Sequence, residues 1–335
     1  MSGIAKRMVS ALAKRVALPA RLGTLIKIAI SAGILIFLLA RLNPAALLER
    51  MTRAQPLWLL LAVALYFLAI FLGVLKWHLL VRVQRLSVSF RDLIAFTFTG
   101  LFLGNILPTN IGGDVVRAAM LARAGNATTE AATLSVLVDR MMGLVAFFAA
   151  ALISAALATM LLTRSAPLET VQVATVIAAA VFAGGAALFF SRRAARVGAR
   201  IFQFAPLARF RARARRLYDA LQLYRAHSAA LAANIALSLT ILVVATFVWY
   251  SVARALDLDI AILYFFLFNP LVGFVLLIPI SLNGLGPKEA AAVFFFGLIG
   301  VPGESAFALS LFFHAIVVLT SLPGGFLVTR SRPVE

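Results

Sequence analysis

Between Leu57 and Leu75 the chain carries no charged residue, and comparably apolar stretches recur at about 25–40, 131–162, 171–190, 231–250 and 304–328. A helix needs roughly 20 apolar residues to cross a bilayer core. In hydrocarbon a helix can satisfy its own backbone N–H and C=O groups, which an open strand cannot. The chain is 63% hydrophobic and only 13% charged, whereas globular domains run at about 45–50% and 25%. A soluble core could not hide that excess, so it must face lipid. The expected fold class is all-α: a polytopic transmembrane helical bundle.

The formal net charge is +19, but the basic residues sit in short loops between apolar spans. That is the pattern of the positive-inside rule, and anionic headgroups account for it without nucleic acid. There is no cysteine, which removes disulfides, thiol catalysis and Cys-based metal sites. The three histidines, His78, His227 and His314, have no metal-ligand spacing. No phosphate-binding loop of the G-x-x-x-x-G-K-[ST] type occurs. No metal, no cofactor and no enzymatic activity is expected.

Placing basic loops on the cytoplasmic side gives a consistent alternation. Residues 1–21 form a basic arm that resembles the n-region of a signal peptide, but the run after it is too long for one. This arm, residues 82–91, the arginine-rich stretch 191–227 and the carboxyl terminus are expected inside. Residues 42–55, 163–170 and 254–259 are expected outside. Lys76 and Trp77, at the end of the second apolar run, read as interfacial anchors. The chain then divides into a first membrane half at 22–165 and a second at 166–330, with opposite insertion. Inverted halves with interrupted segments in matching places point to a transport site near the midplane.

The two interruptions are the polar features of the chain. The first, at about 92–125, has Gly100 and Gly104 spaced as G-x-x-x-G, which permits close helix packing. It then breaks at Pro108 and Gly112-Gly113 and restarts with Asp114 and Arg117. The second, at about 260–302, breaks at Pro279 and Gly284, then restarts with Lys288 and Glu289. Short helices of this kind read as re-entrant, although two full crossings would preserve the parity. A restarted helix offers unpaired N–H groups and a positive dipole end, and an anion such as phosphate suits such a place. Arg117 and Lys288 add cations. Asp114 and Glu289 read as helix caps, partners of those cations or proton acceptors. Candidate substrate-binding residues are Asn105, Asn110, Gly112, Gly113, Asp114, Arg117, Asp139, Arg140, Asn283, Gly284, Gly286, Lys288, Glu289 and His314. Two readings stay open for Asp139-Arg140, site or membrane interface, and for His314, proton relay or bonded core histidine.

The segments Asn105–Arg117, Asp139-Arg140 and Pro279–Glu289 together resemble the lysylphosphatidylglycerol synthase transmembrane family, over nearly the whole chain. That resemblance implies a flippase-like protein of the bacterial inner membrane that moves a lipid with an anionic or modified headgroup between leaflets. It implies membrane lipids as partners, with a separate lipid-modifying enzyme as a further one. Lys288 stands where the family commonly has an arginine. No soluble synthase domain follows residue 330, so aminoacyl transfer is not expected. The competing readings are an integral-membrane transferase acting on a lipid-linked substrate and a non-transporting membrane partner or assembly subunit.

Overall fold

A computed structural model describes residues 18–106, 112–124, 127–162, 166–190, 222–224, 226–276, 281 and 283–330. The arm at 1–17, the break at 107–111 with Asn110, and most of the basic stretch (191–221) lie outside the described residues, as do 277–280 and 282. Among the described residues all regular structure is helical. In chain order the helices are α1 (Leu18–Arg41), α2 (Pro44–Thr52), α3 (Pro56–Val83), α4 (Phe90–Ile106), α5 (Gly112–Ala124) and α6 (Thr129–Leu161). They continue with α7 (Ala166–Phe190), α8 (Ser228–Ala255), α9 (Ile262–Val275), α10 (Pro287–Gly297) and α11 (Gly303–Arg330).

Among the described residues five helices are long and apolar enough to cross a membrane: Gly23–Arg41 in α1, all of α3, α6 and α8, and Gly303–Thr329 in α11. The large residues they leave exposed, among them Leu57, Ile153 and Phe326, are the side chains a lipid solvent accepts. The protein is therefore a multi-pass, all-α membrane protein. α1 begins at Leu18, inside the segment read as the basic arm, and its candidate span begins at Gly23. Residues 42–55, read as a connection, contain α2. Asn43 caps it by accepting from the N–H groups of Ala45 and Ala46, and Pro44 occupies the first position, where its missing N–H costs nothing. Thr128 caps α6 through the Ala131 N–H at 3.2 Å.

The four helices of the two interruptions each fall short of a full crossing. α4 has 17 residues, α5 has 13, α9 has 14 and α10 has 11. Both interruptions are thus pairs of short helices on either side of a break.

The chain forms two compact units. Unit 1 comprises residues 1–69, 95–116 and 243–335; unit 2 comprises 70–94 and 117–242. Each draws on residues from both 22–165 and 166–330. Unit 1 is centred on aromatic rings. Phe268 stacks on Phe295 and meets Phe296 edge-on, and Trp249 stacks on Phe313 at 4.6 Å. In unit 2, Leu80, Leu134, Val138 and Met142 surround Tyr224, which has no exposed surface. Burial pushes the Tyr224 phenol well above its ordinary pKa. The hydroxyl therefore stays protonated, donating to the Leu80 carbonyl and accepting from Gln84.

Candidate functional site

The polar residues gather into two clusters, one in each unit. In unit 2 the centre is Asp139 on α6, buried among apolar neighbours. A carboxylate at that depth must be paired or hydrogen-bonded, and it is both. Lys76 Nζ lies 3.3 Å from Asp139 Oδ1, and Arg117 reaches Oδ2 at 3.6 Å. Asn234 Nδ2 donates to Oδ1 at 3.1 Å and to the Lys76 carbonyl at 2.9 Å. Lys76 Nζ also donates to the Ser238 hydroxyl and to the Asp139 carbonyl, both at 3.3 Å. The Arg117 guanidinium lies over the Trp77 ring, 4.2 Å from its centroid, in cation–π contact. The Trp77 indole N–H in turn donates to Ser135.

Lys76 and Trp77 are not interfacial anchors. α3 runs on past them to Val83, so Trp77 has no exposed surface and the Lys76 side chain is only 13% exposed. Gly143 makes room for the ammonium: a Cβ there would lie 3.3 Å from Lys76 Nζ. Asp139 and Arg140 differ in their surroundings: Asp139 is at the centre of the cluster, while Arg140, about 100° further round the helix, is exposed.

In unit 1 the centre is the start of α10. Asn283, Gly284 and Gly286 take left-handed φ values of 48°, 76° and 93°, which turn the chain sharply before Pro287 opens the helix. Gly286 abuts α1 so closely that a Cβ would lie 3.1 Å from the Ser31 carbonyl oxygen. Glu289 caps the new helix, its Oε2 accepting the Gly286 N–H at 2.6 Å. Its Oε1 accepts the Ser310 hydroxyl at 3.1 Å and faces Lys288 Nζ at 3.6 Å. Lys288 contacts His314 Nδ1 at 2.9 Å and lies over the Phe313 ring at 5.5 Å. Lys288 is 4% exposed and Glu289 fully buried. His314 is thus a bonded histidine within a charged group.

The two interruptions meet in unit 1. Asn283 Nδ2 donates to Asn105 Oδ1 at 2.7 Å, and Asn105 Nδ2 donates to Ser321 at 2.9 Å. α5 restarts at Gly112, and Gly113 sits against α4. A Cβ on Gly113 would lie 2.5 Å from the Gly100 carbonyl oxygen, and one on Gly104 would lie 3.5 Å from Gly113. The G-x-x-x-G spacing packs one broken segment on itself. Asp114 sits in the first turn of α5 and is half-buried.

Polar residues of these clusters escaped the sequence reading as site members, among them Lys76, Asn234, Ser238, Ser310 and Ser321, as did Trp77. Two of the signals were present. Asn234 and Ser238 stand at i,i+4 on one face of an apolar span, as do Ser310 and His314, and neighbours at that spacing share a partner helix.

A family model matches most of the chain's length, and individual relatives match about a third of it. The sequence model of the family described as Lysylphosphatidylglycerol synthase TM region matches residues 24–324. A UPF0104 membrane protein of Methanothermobacter thermautotrophicus is 32% identical over 114 residues, covering 34% of this chain and 32% of that protein. The UPF0104 membrane protein PH1989 of Pyrococcus horikoshii is 26% identical over 100 residues, covering 29% and 30% respectively. The matched stretches therefore span about a third of these curated relatives. No solved structure matches.

Proposed function

The chain belongs to the Lysylphosphatidylglycerol synthase TM region family, and from that premise we propose that it translocates a lipid between leaflets, holding the headgroup at polar groups inside the membrane. The observation that supports this reading is the pair of buried charged clusters, Lys76–Arg117–Asp139 and Lys288–Glu289–His314. Ionisable groups at membrane depth are costly to keep and mark substrate or ion pathways. A helix anchored only in lipid has no use for three of them at a time.

In this reading Arg117 recognises a phosphate through its planar fork and Lys288 through a point charge. The broken start of α5 adds backbone N–H groups, whereas at α10 Pro287 has none and the Gly286 and Lys288 N–H groups are already bonded within the turn. Asp139 and Glu289 hold the cations in place and keep the unloaded site from collecting an anion permanently. The residence is the bacterial inner membrane with both termini cytoplasmic, and the partners are membrane lipids together with an enzyme that modifies their headgroups.

The test is reconstitution in liposomes with fluorescent lipids of several headgroup classes, followed by quenching of the outer leaflet. Wild type should exchange at least one anionic or modified lipid faster than empty liposomes. Arg117→Ala and Lys288→Ala should each slow this by tenfold or more, since truncating a charged hydrogen-bond partner costs about 1.5–3 kcal/mol. Exchange no faster than empty liposomes across the whole panel sinks the reading. Normal exchange by both variants keeps the function and removes these residues from it.

A further inference from the structure

Lys288 Nζ and His314 Nδ1 lie 2.9 Å apart. At that separation one nitrogen gives a hydrogen and the other offers a lone pair. A lysine ammonium has donors only. With Lys288 charged, Nδ1 of His314 is the acceptor and the ring is neutral, its hydrogen on Nε2. With Lys288 neutral the roles can reverse, but any arrangement that keeps the contact holds at most one positive charge. A second proton makes both nitrogens donors and both groups cationic, and attraction becomes repulsion.

The surroundings are matched to one charge. Glu289 faces Lys288 Nζ at 3.6 Å, and its two oxygens are already engaged by the Gly286 N–H and the Ser310 hydroxyl. α11 adds the Phe313 ring beneath Lys288. α9 brings a single ionisable residue, Tyr264, which stacks on Phe268. From α8, Trp249 stacks on Phe313, and Tyr250 stands edge-on to Phe265. From α3, Tyr66 stands edge-on to Phe313. α1 brings Lys27, one turn before the Ser31 carbonyl that Gly286 abuts. At the far end of α11, Glu304 takes the Asn43 N–H. Among the described residues, Glu289 is the carboxylate bonded to the pair. Lys288 and Glu289 are buried, whereas His314 is partly open, which makes the histidine the most accessible of the three.

We propose that Lys288, His314 and Glu289 form a one-proton switch that couples translocation to a proton gradient, with H⁺ as the coupling ion. This rests on the transport reading above. A proton entering from one side bonds to the Nδ1 lone pair of His314, giving the imidazolium. The N–H···N contact breaks, no other covalent bond changes, and the Lys288 ammonium turns away from His314 while Glu289 stays fixed by Gly286 and Ser310. Because Lys288 is in the first turn of α10, its displacement acts on the broken helix start. Loss of the same proton to the other side restores Nδ1 as acceptor and recloses the pair.

The experiment has two arms on the full chain. In the first, liposomes of phosphatidylcholine and phosphatidylglycerol carry in turn each fluorescent lipid of the headgroup panel above, with an internal pH dye, and exchange is followed under inward and outward proton gradients. One proton per cycle can bias the rate by at most about tenfold per pH unit. Wild type should show a several-fold difference between the two gradient directions, with internal acidification accompanying exchange under the inward gradient. His314→Gln and His314→Asn, each checked for monodisperse elution, should show none. Equal rates under both gradients in wild type, or an unchanged ratio in both variants, overturns the proposal.

In the second arm, the His78→Asn/His227→Asn protein leaves His314 as the one histidine for nitrogen-15 NMR in detergent, with no lipid movement involved. Nδ1 should resonate as a hydrogen-bonded acceptor and move to an unbonded shift in Lys288→Met. An Nδ1 indifferent to Lys288 overturns the switch. If no labelled lipid moves while the acceptor signal is present, the transport reading fails and takes the coupling with it, leaving the Lys288–His314 contact intact.

Discussion

Asp139 is the residue whose environment is most demanding, since two cations and an asparagine converge on its carboxylate. Removing one member of a buried ion pair costs about 3–5 kcal/mol, because the other charge is stranded, while replacing both with apolar groups is often neutral. Asp139→Leu should therefore lower the melting temperature in detergent sharply, and adding Lys76→Met should return part of the loss. Strictly additive losses would mean that the geometry is present without energetic coupling. The cluster was half legible in the sequence. Asp139 and Arg117 stand out as charges in apolar surroundings. Lys76 and Trp77 did not, because the end of an apolar run is also where membrane anchors belong. The deciding fact was the continuation of α3 through Arg82 to Val83, and hydropathy does not register a helix that carries on after its apolar stretch has ended. The Lys288–His314 contact was also beyond reach. The spacing of 26 residues has no helical meaning until α10 is packed against α11.

At the scale of elements, the breaks were readable and the packing was not. Gly112-Gly113 and the restart at Lys288-Glu289 announced where α5 and α10 begin, and G-x-x-x-G announced a close approach at α4. Which backbone makes that approach is a tertiary fact: it is α5 itself. Gly113→Ala would thrust a methyl to 2.5 Å from the Gly100 carbonyl, and a carbonyl in a helix cannot rotate away as a side chain can. Overpacking of this kind costs about 1–3 kcal/mol. Gly113→Ala should lower the melting temperature measurably, whereas Gly184→Ala, with nothing within 4 Å, should leave it unchanged or slightly raised, since alanine is the better helix former. Equal effects would show that α4 and α5 do not pack in this register. α2 was missed for a different reason. Asn43-Pro44 is a good start signal, but nine residues between two membrane spans look like a loop when only apolar runs are being sought.

For the whole molecule, the class was fixed by composition and run length, because surplus apolar surface has one place to go. Orientation is a separate matter, carried by where the arginines lie. The positive-inside rule predicts Arg82, Arg85 and Arg91 on the cytoplasmic side and the slightly acidic turn at Asp257 and Asp259 outside, and with that placement it predicts opposite insertion of the two interruptions. The cysteine-free sequence makes the test clean, since each introduced thiol is the protein's sole one. Ser87 and Asp259 are both exposed, so a thiol at either can react. A membrane-impermeant maleimide should label Ser87→Cys in inverted vesicles but not in intact cells stripped of their outer barrier, and Asp259→Cys in the reverse pair of conditions. Labelling of both from one side would abolish the inversion. It would leave α4–α5 and α9–α10 entering from the same leaflet, and a transport cycle built on mirrored access would lose its basis even if lipid still moved. Labelling of both in the reverse sense would keep the inversion and turn the protein over, making the basic loops exterior. The opposed result, inside for Ser87 and outside for Asp259, is the one that gives each broken pair a different leaflet to open towards.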